Sequence, residues 1–229
     1  MRERSRQRAP AKLTLTLRVV GRRGDGYHLI DAEMTTLDLA DELTFGPGEN
    51  DLAPDDLVSR ALAAVGRQAG VRVEVDKRIP VGAGLGGGSA DAAAVLRWAG
   101  CDDLEVASRL GADVPFCLVG GRARVRGTGE VVEPLPFVDR AFTLLTPPFP
   151  LWTPLVYRAW DDMGGPTAEG VNDLEPAALR AEPRLAEWRD RLGDATGQTP
   201  QLAGSGGTWF VEGDYPEVAG AVVTRTGRP

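Results

Sequence analysis

The sequence predicts a mixed fold of strands and helices, α+β or α/β in type, with a glycine-rich loop in each half, on three observations. Residues 12–20, 71–79 and 208–212 alternate apolar and polar side chains as half-buried strands do. Residues 57–65, 89–99 and 182–192 have helical spacing or helix-forming composition. Glycine clusters at residues 80–90 and 204–207 stand between segments of different type, where the chain needs backbone conformations other residues resist.

Taken in order, the arginine-rich residues 1–8 lack an apolar signal core and read as a solvated tail. A first strand over 12–20 stops at Gly21-Arg-Arg-Gly-Asp-Gly26, a turn or hairpin, and a second strand-like stretch follows through Leu39. Residues 46–56, rich in Gly, Pro, Asn and Asp, precede a helix over 57–65. The strand over 71–79 runs into five glycines and a serine, which open an alanine-rich helix. Residues 101–110 form a further helix ended by Gly111, and 122–132 form strands broken by Gly127-Thr-Gly129. A proline-rich passage, 134–154, holds the crossing into a second domain, since 229 residues allow one large or two small domains.

A formal charge of −7 argues against a nucleic-acid or anionic-membrane surface, both of which demand broad positive potential. No apolar run approaches the roughly 18 residues of a membrane-spanning helix. Cys101 and Cys117 show no metal-ligand spacing and read as ordinary thiols of a reducing cytosol, so no protein-held metal site is expected.

The loop at 80–90 has the makings of an anion cradle. Glycines permit close approach to the backbone, and the first helical turn beyond them offers unpaired N–H groups and the positive end of the macrodipole. No Gly-Lys-Ser/Thr follows, so it is not a Walker loop, and the dinucleotide fingerprint fits Gly82-Ala-Gly84-Leu-Gly-Gly87 only weakly. A phosphate site of another architecture and a ligand-free flexible turn both remain open. Lys12, one of two lysines in the chain, suits a phosphate or carboxylate partner, or is a plain strand residue. Asp113, before Val-Pro, is a general base or a helix N-cap. His28, the sole histidine, and Tyr27 either lie at the surface or hold a planar base by hydrogen bonding and stacking.

Together, Pro10-Ala-Lys-Leu13, Gly24-Asp-Gly-Tyr-His28, the glycine loop, Leu110-Gly-Ala-Asp-Val-Pro115, Asn172-Asp-Leu-Glu175 and Gly204-Ser-Gly-Gly207 occur in the order seen in one family. Over nearly its whole length the chain resembles the 4-diphosphocytidyl-2-C-methyl-D-erythritol kinases, a branch of the GHMP kinases. The resemblance implies an α+β, two-domain GHMP kinase fold: residues 1–138 resembling ribosomal protein S5 domain 2, residues 139–229 ferredoxin-like, and the active site between them. It implies transfer of the ATP γ-phosphate to the 2-hydroxyl of a cytidine-diphosphate substrate, in the non-mevalonate route to isoprenoid precursors. By the same resemblance, Asp113 acts as base or orients the hydroxyl, and Lys12 holds Asp113 ionised and steadies developing charge. Pro80, Val81, Gly82, Ala83, Gly84, Leu85, Gly86, Gly87, Gly88, Ser89 and Ala90 would wrap the ATP phosphates, with Mg2+ arriving on the nucleotide and Ser89 near the metal-bound phosphate. Thr14, Tyr27, His28, Tyr157, Gly204, Ser205 and Gly206 would bind the substrate, Tyr157 being alternatively a core residue. A cytoplasmic monomer or weak homodimer, with no nucleic-acid or membrane partner, is expected.

Two departures stand out. Thr14 occupies a position where the family usually has Asn, and the chain is short around residues 46–56 and at its C-terminal end. A GHMP kinase for another small alcohol and a catalytically silent nucleotide-binding relative are the competing readings.

Overall fold

Two antiparallel sheets, described for residues 4–228 in a computed structural model, organise the chain. The first contains β1 (Ser5–Arg22), β2 (His28–Gly46), β3 (Arg72–Asp76), β4 (Arg122–Gly127) and β5 (Val131–Leu135). β1 covers one edge of β2 along its whole length, while β3 and β4 share the other edge and β5 extends the sheet from β4. α1 (Leu57–Ala64), α2 (Gly87–Trp98), α3 (Leu104–Leu110) and α4 (Val114–Val119) accompany this sheet, with α2 packed on β1, α1 and α4. Ala90, Ala92, Ala93 and Ala94 of α2 are buried, and side chains this small let the helix lie close against the strand.

The second sheet contains β6 (Ala141–Leu145), β7 (Gln201–Leu202), β8 (Trp209–Glu212) and β9 (Val222–Arg225) in the order β7-β8-β6-β9. That order, with every neighbour antiparallel, is ferredoxin-like. α5 (Thr153–Asp162), α6 (Glu175–Ala181) and α7 (Leu185–Thr196) make its first crossover. Its second crossover, residues 213–221, contains only turns and bends where the ferredoxin-like plan has a helix, which locates the C-terminal shortening.

Several expectations are corrected. Residues 1–3 of the expected tail lie outside the described residues, but Ser5 to Arg8 pair with β2 from Phe45 to Glu42. Their alternating arginines are the exposed face of an edge strand, with Arg6 3.1 Å from Glu42, so a polar composition concealed a paired backbone. β2 continues past Leu39 to Gly46 because β3 pairs with its far end. The passage 134–154 contains β6 rather than only a crossing, and α5, α6, β7 and β9 were unforeseen. Among the described residues no helix is long and apolar enough to cross a membrane, and both cysteines are free. Burial pushes the Cys117 thiol up to about 12, as befits an inert core residue.

Asn172 and Asp173 join the two halves. Asp173 accepts from Arg18, from Val19 N at 3.0 Å and from Ala168 N at 3.0 Å. Buried Asn172 donates to Leu202 O at 2.9 Å and Gly204 O at 2.7 Å, and accepts from Leu174 N. It therefore hangs the second glycine loop from the strand beneath it. Asn172→Ala leaves two buried carbonyls without a donor, at a cost of about 2–4 kcal/mol. Thermal unfolding followed by circular dichroism should show a melting point lower by on the order of 10 °C; an unchanged melting point would remove this fastening role.

Candidate functional site

At the centre of β1 the register with β2 shifts between Pro10 and Lys12 and again between Thr14 and Thr16. Bulges of this kind re-aim the residues they bracket. Lys12 and Thr14 end up buried, and the backbone N–H of Lys12 donates to Leu85 O of the first glycine loop at 3.0 Å. The lysine stem runs directly under the loop: Gly86 has φ +69°, and a Cβ there would lie 2.7 Å from Lys12 Cγ. Any side chain at residue 86 would therefore be strained in backbone and would push the lysine aside.

The Lys12 ammonium donates to Thr14 Oγ1 at 3.1 Å and stands 3.4 Å from Asp113 Oδ2. Asp113 does occupy the N-cap position of α4, yet its carboxylate makes no capping hydrogen bond. Pro115 in the first turn lacks one of the N–H groups that would need a cap. The carboxylate is directed at Lys12 and not at the N–H groups of α4.

The first loop alternates buried anchors with open backbone. Ala83 and Leu85 are buried, while Gly82, Gly84 and Gly86 all have positive φ. α2 then starts at Gly87 with no side-chain cap, leaving its first N–H groups available. The Ser89 hydroxyl makes no hydrogen bond among the described residues. Gly84 crosses the second loop so closely that a Cβ on Gly206 would lie 2.2 Å from Gly84 Cα, and Thr208 N donates to Ala83 O at 3.2 Å. The two loops are thus one assembly, with Ser205 Oγ 2.9 Å from Thr153 Oγ1 at the start of α5.

A cavity of about 700 Å³ opens beside them, lined by Lys12, Thr14, Tyr27, His28, Asp113, Tyr157, Gly204 and Ser205 among others. Residues 80–90 and Gly206 do not line it: Gly86 lies against the Lys12 stem, and Gly84 and Gly206 meet at the loop crossing. Inside the cavity the His28 imidazole stacks on Tyr157 at 4.6 Å and 24°, with Trp160 edge-on at 5.5 Å. Burial pushes the Tyr157 phenol up, and the nearby Asp113 charge adds to the effect. Tyr27 is 61% exposed on the β1–β2 hairpin, with the Arg23 guanidinium 5.3 Å from its ring centre.

Two groups were not found by sequence reasoning. Asp161 of α5 pairs with His28 and Arg22, a relationship that its sequence distance concealed. Lys77, the second lysine, had its rarity as a signal. Its ammonium bridges Asp41 and Asp91, 2.8 Å from the latter, and would lie 3.3 Å from a Cβ on Gly87. Asp41 also accepts from the N–H of Arg78 and Ile79, so it fixes the chain entering the loop. Burial, reinforced by Asp41 and opposed by Lys77, pushes the Asp91 carboxyl up to about 6. The hydrogen bonds to Asp41 and Asp91 raise Lys77 although burial opposes the shift.

Residues 56–121 match the family model for the GHMP kinases N terminal domain. The chain is 40% identical to the 4-diphosphocytidyl-2-C-methyl-D-erythritol kinase of Paracoccus denitrificans, over 90% of this chain and 85% of that one. It is 37% identical to the enzyme of the same name from Granulibacter bethesdensis, over 92% and 86%. A crystal structure of 4-(cytidine 5'-diphospho)-2C-methyl-D-erythritol kinase superposes with a TM-score of 0.81 at 35% identity, covering 98% of this chain and all of that one. Methanococcus jannaschii mevalonate kinase, at 10% identity and a TM-score of 0.61, shares the fold.

The Asp91 shift fixes a sign. A carboxyl raised from 3.8 to about 6 by folding stabilises the fold fully below its unfolded value, and that contribution is lost as pH rises through 6. Asp91→Asn lacks this loss, so its melting temperature should gain on that of the wild type between about pH 4 and pH 7. A difference that stays constant with pH would contradict the buried-acid assignment.

Proposed function

The chain belongs to the 4-diphosphocytidyl-2-C-methyl-D-erythritol kinases of the GHMP family, ATP-dependent kinases of isoprenoid biosynthesis that phosphorylate the 2-hydroxyl of that substrate, and on this premise we propose how its residues divide the work. Lys12 and Asp113 handle the reacting groups, the α2 N-terminus and residues 80–90 hold the ATP phosphates, and Tyr27, His28 and Tyr157 receive the cytosine. The observation that carries this division is the 3.4 Å approach of Lys12 to Asp113 in the same cavity as the three aromatic rings.

Asp113, free of any capping duty, accepts the substrate hydroxyl proton as the oxygen forms its bond to the γ-phosphorus and the bridging bond to ADP breaks. Lys12 has three donors. One goes to Thr14, and the others, with the Asp113 carboxylate 3.4 Å away, are left for the transferred phosphoryl oxygens. Because Thr14 Oγ1 accepts from Lys12, its own proton is available to a substrate oxygen, a role a hydroxyl fills in place of the family's usual Asn. Ser205 and the backbone of Gly204, which line the cavity, border the substrate diphosphate, while Gly206 sits back from it at the crossing with Gly84.

Magnesium would offset negative charge on the phosphate oxygens. Such an ion is carried mainly by phosphates and water. The unpartnered Ser89 hydroxyl in the first turn of α2 is the protein group that fits beside it. Lys12, Asp113, His28 and Tyr157 line one cavity within the chain.

A coupled ADP-release assay with the cytidine-diphosphate substrate, mevalonate, homoserine and galactose tests the assignment. Turnover is expected with the first alone, and Asp113→Asn should lower kcat by at least about 100-fold. Turnover of another alcohol at a comparable rate would move the chain to a different GHMP substrate, and near-normal kcat in Asp113→Asn would leave Asp113 without a catalytic part.

A further inference from the structure

His28 is the only histidine in the chain, and one of its ring nitrogens is already committed. Nε2 lies 2.8 Å from Asp161 Oδ1, while the Arg22 guanidinium stands 3.5 Å from Asp161 Oδ2. A carboxylate paired with a guanidinium accepts hydrogen bonds and donates none. In a neutral imidazole the proton therefore sits on Nε2, and Nδ1 carries a lone pair. Tyr157 stacked on one face and Trp160 against the ring hold the imidazole in this pose, with its side chain only 10% exposed. Among the described residues Nδ1 has no hydrogen-bond partner, and the residue lines the cavity.

We propose that Asp161 is a positioning residue that sets base specificity: by holding His28 as its Nε2–H tautomer it presents an acceptor, Nδ1, to the exocyclic amine of cytosine. The inference rests on the reading of His28 as a base contact. Cytosine offers a donor at its 4-position, whereas uracil offers a carbonyl oxygen there. Against uracil two acceptors face each other, the hydrogen bond is lost and both groups stay unsatisfied. Arg22 acts at one remove, as the cation paired with the other oxygen of Asp161. The selection thus resides in a side chain that need not touch the substrate.

The single histidine makes the tautomer directly readable. In 15N-labelled protein without substrate, at about pH 8, long-range 1H–15N correlation should show a proton on Nε2 and none on Nδ1. In Asp161→Asn, whose amide both donates and accepts, it should show a mixture or the Nδ1–H form. In parallel, kcat/KM is measured for the cytidine substrate and its uridine analogue. The wild type should favour cytidine by at least about tenfold, and Asp161→Asn should bring the ratio towards one while leaving the KM for ATP unchanged. A purely structural role would lower both substrates equally and leave the ratio intact. An Nδ1–H imidazole in the wild type overturns the inference, and so does an undiminished preference in Asp161→Asn. A wild-type Nε2–H signal together with unchanged cytidine preference in His28→Ala would instead overturn the reading of His28 as a base contact.

Discussion

Everything at the site depends on a buried ammonium. Lys12 is 5% exposed, and a charge so far from water is tolerable only where its partners are in place before it is buried. Those partners are Thr14 two residues along the same strand and Asp113 at the head of α4. The same burial confines the lysine stem under Gly86, where the absence of a side chain is what leaves it room. In the proposed division of work the glycine loop consequently has two duties: it exposes backbone towards phosphate, and it roofs the lysine that would meet the same phosphate. A loop with the same donors but a Cβ at residue 86 would keep the first duty and lose the second.

The loops cannot be understood singly. Gly84 and Gly206 approach at a distance only backbones reach, and the second loop hangs from Asn172, itself bridged to β1 at Leu17. Strand β1 and the two glycine loops therefore share one set of fastenings. Asp41 and Lys77 extend the set to the loop's entry, where a partly exposed cation lies between two buried carboxylates. Asp91 carries the cost of that arrangement as an oxygen with no partner and a raised carboxyl.

Local pattern made much of this legible. The glycines at 82–88, the helix after them and the strand before them follow from side-chain period and backbone freedom, and the order of short motifs pointed to the family. Asp113 shows the limit of such reading: Asp before Val-Pro is equally a cap or a base, and only the position of Lys12, about a hundred residues earlier, decides which way its carboxylate turns. Asp161 was invisible for the same reason, since its partner His28 lies on a hairpin in the other half of the chain. Edge strands were the other weakness. Residues 5–8 look like a charged tail because the ladder that orders them is made of backbone, and backbone pairing leaves little trace in side-chain composition.

The central claim is that Lys12 and Asp113 act as one unit on the phosphoryl group and the hydroxyl it joins. A double-mutant cycle on kcat, comparing Lys12→Met, Asp113→Asn and the pair together, tests it most directly. If the two form one device, the double variant is scarcely slower than the worse single one. If the losses multiply in full, the two residues work independently and the account of their pairing is wrong.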